Sequence, residues 1–122
     1  EGPHGISPLA NGKSRVPLEA GMIISNEPGY YAPGQFGIRI ENLLLCTEGP
    51  TTANGKFLQF ETLSLFPIEA TMIDWPLLTK GEAEWLRTYH EEVLRRLSPL
   101  LNEPEVAWLQ AKCMPYVPHL NP

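Results

Sequence analysis

The sequence predicts an α+β chain in which antiparallel strands come first and helices follow. Three observations predict it. Between Met22 and Phe66 the apolar residues either alternate with polar ones or run in short blocks bounded by Gly and Pro, the pattern of strands. After Pro67 the apolar spacing changes to threes and fours, the pattern of an amphipathic helix. Thr79 and Asn102 each stand where a side-chain oxygen can cap a helix beginning just after them.

Taken in order, the first 20 residues read as loop, because Gly2, Pro3, Gly5, Pro8, Asn11, Gly12 and Pro17 are too dense for a regular element. Met22-Ile23-Ile24-Ser25-Asn26-Glu27 is a short apolar strand that should stop at the breaker Pro28-Gly29. Gly37 to Cys46 reads as a second strand, with Ile38 and Ile40 alternating against Arg39 and Glu41. A polar loop holding Asn54-Gly55 leads to a third strand from Phe57 to Phe66. Its apolar parity changes near Glu61, which a bulge there would reconcile.

In the second half, Ala83, Leu86, His90, Val93 and Leu97 share one helix face. Thr79 with Glu82 forms a capping-box signature at its start. Glu91 with Arg95 and Glu92 with Arg96 mark the wet side. Pro99 should end this helix, and Asn102, Pro104, Val106, Ala107 and Leu109 predict a second, shorter one. Residues from Pro115 to Pro122 read as a loose tail. The domain division expected is 1–66 and 67–122.

Composition excludes several classes. With 122 residues, 43% hydrophobic and 19% charged, the chain suits one soluble globular unit or part of one. It starts at Glu1 without an initiator Met, so it is expected to begin inside a longer protein, and its opening residues are not a signal peptide. The nine Lys and Arg are scattered in a chain of net charge -5, which points to neither nucleic acid nor an acidic membrane surface. No apolar run is long enough to span a bilayer. Cys46 and Cys113 lack partners at metal or redox spacing, so a reduced, cytoplasmic setting fits best.

The chemistry concentrates at two carboxylates. Glu27 and Glu41 sit at or inside apolar strands, where a carboxylate is costly to desolvate without a cation nearby. If those strands are neighbours, both can project from one sheet face as hard oxygen ligands for divalent metal. Spacing alone leaves open the blander alternative, in which they face solvent or pair with Arg15 or Arg39. The histidines add little. His4 lies in a Gly/Pro loop, His119 in the tail, and His90 on the apolar face of a helix, where a packed role is the commoner one.

Gly21-Met22-Ile23-Ile24-Ser25-Asn26-Glu27-Pro28-Gly29-Tyr30-Tyr31, followed by Gly37-Ile38-Arg39-Ile40-Glu41-Asn42, resembles the end of the catalytic domain in the creatinase/aminopeptidase, or pita-bread, family. Glu1-Gly2-Pro3, Leu18 to Met22, and Phe60 to Ile68 look most like cytosolic Xaa-Pro aminopeptidases. Met72-Ile73-Asp74, Glu84-Trp85-Leu86 and Tyr89-His90 are similar to their C-terminal extension. The resemblance implies the C-terminal part of a curved antiparallel sheet followed by a helical extension. It implies a peptidase that removes an N-terminal residue preceding proline, using two divalent ions, commonly manganese with zinc or cobalt as alternatives, to activate a water.

By the same resemblance Glu27 is a metal ligand and general base, and Glu41 a carboxylate bridging both ions. Tyr31 and Arg39 orient these ligands, although a purely structural role for either stays open. Family members carry two Asp ligands, a His ligand and a further active-site His upstream of the matching region. This stretch alone is therefore expected to bind no metal pair and to be inactive. Prolidase and creatinase relatives, or a non-enzymatic oligomerisation module built on the helical part, are the competing readings. An exposed sheet edge further predicts self-association, most simply a homodimer.

Overall fold

The computed structural model describes residues 16–116. Five strands come first: β1 (Ile23–Asn26), β2 (Gly29–Ala32), β3 (Phe36–Arg39), β4 (Asn42–Thr52) and β5 (Gly55–Thr62). Two helices follow, α1 (Lys80–Leu97) and α2 (Glu103–Cys113), with single 3-10 turns at Ala70–Met72, Trp75–Leu77 and Ser98–Leu100. All strand pairings are antiparallel, so the architecture is α+β. The chain divides between Ser64 and Leu65 into two compact units. The expected loop before Arg15, the residues His4, Arg15 and His119, and the tail beyond Tyr116 lie outside the described residues.

In the first unit β4 lies between β1 and β5, and β2 pairs with β3 in a separate ladder. β1 ends at Asn26, as the breaker predicts, and the break centres on Pro28. This proline lacks an N–H to donate, but its carbonyl accepts from the Ile40 N–H at 3.3 Å, and pairing resumes at once with Gly29 opposite Arg39. The register never slips across this break. Asn26 faces Asn42 on one side and Gly29 faces Arg39 on the other, so stepping one residue inward from Asn26 and Asn42 sets Glu27 opposite Glu41. The two ladders are thus one long hairpin with a gap in its hydrogen bonding. The predicted strand from Gly37 to Cys46 is accordingly two strands, β3 and β4. The hairpin closes through Pro33-Gly34-Gln35, where Gly34 takes φ 71° and the Gln35 N–H donates to Ala32 O at 3.0 Å.

A two-residue turn, Ala53-Asn54, joins β4 to β5, with Gly55 at φ 121° just after it. The irregularity foreseen near Glu61 lies instead in β4, between Glu48 and Thr51, where Pro50 cannot donate to the ladder. Around Glu61 the pairs Cys46 with Phe60, Leu45 with Glu61 and Leu44 with Thr62 run unbroken. The parity change has a different cause: β5 ends at Thr62 rather than Phe66. Beyond it the Ser64 hydroxyl accepts from the Leu43 N–H at 2.8 Å in place of a backbone carbonyl. Cys46 and Asn42 are the buried residues described in this unit, while Ile23, Tyr30, Phe36, Ile38, Ile40, Phe57, Leu58 and Phe60 are exposed.

The second unit holds a compact core. The Thr79 side chain accepts from the Glu82 N–H and Glu82 reaches back to the Thr79 N–H, so two otherwise orphaned donors are satisfied at the start of α1. Asn102 and Glu105 do the same for α2. The buried face of α1 comprises Leu86, Tyr89, His90, Val93 and Leu94, a wider stripe than the spacing predicts, with Ala83 and Leu97 only half-buried. Tyr89, Val93, Leu94, Leu109 and Cys113 form the core, and Leu65, Ile68, Leu97 and Leu101 pack on it. On the wet face Arg87 takes Glu84 and Glu91, and Arg95 takes Glu92 at 2.6 Å.

The predicted loose tail does not begin at Pro115. Tyr116 is buried, its ring stacks on His90 with centroids 3.6 Å apart, and its hydroxyl donates to Ile68 O at 3.0 Å. An aromatic ring with a satisfied hydroxyl ties that segment to the core.

Candidate functional site

The gap in the long hairpin is where the candidate residues meet. Paired residues of an antiparallel ladder, and every second residue along each strand, point to one face. Glu27, Gly29 and Tyr31 on one strand and Glu41, Arg39 and Gly37 on the other therefore share a face. Arg39 organises it. Its Nη1 donates to Glu27 Oε2 at 2.7 Å and lies 3.9 Å from Glu41 Oε2, while its Nε donates to the Tyr31 hydroxyl at 2.7 Å. The guanidinium carbon stands 5.8 Å from the centre of the Tyr31 ring. All four residues named from the sequence are thus brought together, and Glu27 does take the Arg39 partner that the blander reading allowed.

Ser25, which sequence reasoning passed over, donates its hydroxyl to Glu27 Oε1 at 2.7 Å. Its signal was available: it lies two residues before Glu27 on a strand and so shares that face. With Ser25 as the larger influence and Arg39 adding to it, the Glu27 carboxyl is held below the usual carboxylate range. The Tyr31 hydroxyl and the two carboxylates raise the Arg39 pKa. At neutral pH the face therefore presents ionised Glu27 and a charged guanidinium. The side chains of Glu27, Arg39 and Glu41 are between a third and a half exposed, so the two carboxylates stay within reach of solvent.

Two adjacent carboxylates are suitable donors for a hard divalent cation. They fit as part of a site. Among the described residues no group of three or more His, Cys, Asp or Glu converges, so a complete set of ligands is not assembled there. His90, the remaining described histidine, is unsuited to the task. It is fully buried, with Nδ1 donating to Leu86 O at 2.7 Å and Nε2 accepting from the Ile68 N–H at 3.1 Å.

Residues 1–48 match metallopeptidase family M24, and residues 56–116 match the C-terminal region of peptidase M24. The chain is 44% identical over 120 residues to a probable Xaa-Pro aminopeptidase P of Laccaria bicolor, covering 94% of this chain and 18% of that protein. It is 48% identical over 104 residues to aminopeptidase P2 of Arabidopsis thaliana, covering 83% of this chain and 14% of that one. Its structure is similar to X-prolyl aminopeptidase from Caenorhabditis elegans, a cytosolic enzyme with a di-nuclear active site. The TM-score is 0.75 at 35% identity, over 93% of this chain and 18% of the other. The chain thus spans about a fifth of the length of the relatives it matches. No described helix is long and apolar enough to cross a membrane.

Proposed function

The chain belongs to metallopeptidase family M24, and from that premise we propose that it forms the C-terminal part of a two-metal Xaa-Pro aminopeptidase of pita-bread fold. The whole enzyme removes an N-terminal residue that precedes proline. The observation that supports this best is the shared face on which one guanidinium spans Glu27 and Glu41. A cytoplasmic setting is part of the proposal, supported by the cytosolic relative. So is manganese as the metal, which the family resemblance implies and carboxylate donors suit. The division between Ser64 and Leu65 supports a boundary near residue 66 between the catalytic part, 1–66, and the extension, 67–122.

Two divalent ions, when bound, would lower the pKa of a water and offset charge on the reacting carbonyl. The roles of this chain's residues follow from their placement. Glu27, kept ionised by Ser25 and Arg39, would hold metal and accept the proton of the attacking water. Glu41, opposite it, would supply a second carboxylate to the ions. Arg39 keeps the two carboxylates in register, and Tyr31 holds Arg39 through its Nε–H.

Two carboxylates are too few donors for two ions, so the 122-residue chain by itself should neither take up a metal pair nor cleave an Xaa-Pro peptide. Calorimetric titration with manganese, followed by a turnover assay, checks this. Tight uptake of two ions per chain, or hydrolysis, would show that the ligand set is other than proposed.

Self-association is the expected behaviour of the same chain in solution. The outer edges of β1 and β5 carry no strand partner among the described residues, and large apolar side chains stand exposed along them. Such edges gain by pairing with a second copy, most simply as a homodimer. Light scattering at rising concentration should show a dimer. A stable monomer at high concentration would refute the expectation.

A further inference from the structure

Gly29 and Gly37 flank the Tyr31 ring, and neither needs to be glycine for its backbone. The glycines with φ in the left-handed region among the described residues are Gly21, Gly34 and Gly55. What Gly29 and Gly37 lack room for is a Cβ. One added at Gly29 would lie 2.5 Å from the Tyr31 hydroxyl and 2.8 Å from Cε2 and Cζ. One at Gly37 would lie 2.8 Å from Cδ1 and 3.2 Å from Cε1 of the same ring. Gly37 is the residue directly opposite Tyr31, and Gly29 is the residue opposite Arg39. The ring therefore lies down across two bare backbone positions, and that posture brings its hydroxyl to Arg39 Nε.

We propose that Gly29 and Gly37 are positioning residues. Their two missing side chains form the seat of the Tyr31 ring, and through that ring they fix the Arg39 guanidinium between Glu27 and Glu41. A methyl group at either position lifts the ring, because the added carbon would stand under 3.0 Å from ring atoms and the exposed Tyr31 side chain relieves that contact by moving off the two glycines. With the ring lifted, the Nε–H of Arg39 loses its acceptor, and the guanidinium no longer has a fixed angle to the carboxylates. In a strand, Gly→Ala otherwise favours the folded state by limiting the unfolded chain, so the two effects have opposite sign.

The functional part of this proposal rests on the aminopeptidase reading above, and the experiment separates the two. In the isotopically labelled 122-residue chain the Arg39 Nε–H resonance reports the hydrogen bond without any turnover. In G29A and in G37A that resonance should move to the position of a water-exposed arginine, with exchange quickened by about fivefold or more, as befits one lost hydrogen bond. G81A, where nothing lies within 4 Å of the added methyl, should leave it unchanged. G37A should lower the urea midpoint when Tyr31 is present and should not lower it in a Y31A background. Failure of G37A to fold while G37A/Y31A folds also supports the seat. Failure of both, or an unchanged Arg39 resonance in G29A and G37A, overturns it. In the complete enzyme G37A should reduce kcat by about tenfold or more with little change in KM, as for a group that acts only on the reacting arrangement. Absence of peptidase activity in the unmodified complete enzyme would sink the aminopeptidase reading and leave the resonance result standing.

Discussion

Glu27→Gln in the complete enzyme should lower kcat by about 10²- to 10⁴-fold, the range expected for loss of a positioned proton acceptor, while KM changes little. The argument starts from the charge that Glu27 carries. Its Oε1 accepts from Ser25 and its Oε2 from Arg39, and both contacts favour the ionised form. Glutamine keeps the length and can still accept from Ser25, but its amide neither binds a hard cation as well nor takes a proton near neutral pH. Metal content measured alongside kcat separates the two losses: reduced loading marks the ligand, and full loading with slow turnover marks the base. Turnover within about tenfold of the unmodified enzyme would remove Glu27 from the catalytic role. Ser25→Ala offers a graded comparison, because it removes the largest of the influences that hold the carboxyl down without touching the carboxylate itself.

How far these features can be read from sequence depends on how local their causes are. The helices are local. Thr79 with Glu82 and Asn102 with Glu105 cap within a single turn, so both starts are visible in four-residue patterns. Pro28 is legible only in part. It breaks β1 by its own chemistry, but that pairing resumes in the same register at Gly29, with Ile40, distant in sequence, donating to the Pro28 carbonyl, is not visible locally. The face shared by Glu27 and Glu41 is only half legible. Their motif surroundings are distinctive, but that they face each other follows from a register that holds across the gap, which no single strand reveals. Gly29 and Gly37 are less legible still. Each looks like an ordinary strand glycine until the orientation of the Tyr31 ring is known. Cys46 and Asn42, the buried residues among those described in the first unit, carry no alternation signal that distinguishes them from the exposed Leu58 or Phe60.

Acid should loosen the second unit through His90, and His90→Ala should cost about 3 kcal/mol or more by leaving a cavity and an unpaired backbone donor. His90 has no room for a second proton. Its Nδ1–H is given to Leu86 O, its Nε2 accepts the Ile68 N–H, and the Tyr116 ring covers one of its faces while Tyr89 meets it edge-on. Protonation at Nε2 would set two donors against each other inside the core. Burial accordingly pushes the His90 pKa below the ordinary value of 6.5, with the Leu86 carbonyl opposing only in part.

The sign follows from linkage. The unfolded chain binds the proton more readily than the folded one, so this contribution to stability is full above pH 6.5 and is lost as pH falls from there toward the lower folded value. The neighbours cannot compensate for a charge on the ring. Burial raises the Cys113 thiol to about 11 and the Tyr116 hydroxyl to about 12, so both remain neutral throughout the range in which His90 titrates. Urea midpoints measured between pH 7.5 and 5 should therefore fall with acidification in the unmodified chain. In His90→Gln, which can accept from Ile68 but does not titrate, the fall should be smaller. An equal slope in both would assign the acid sensitivity to other groups.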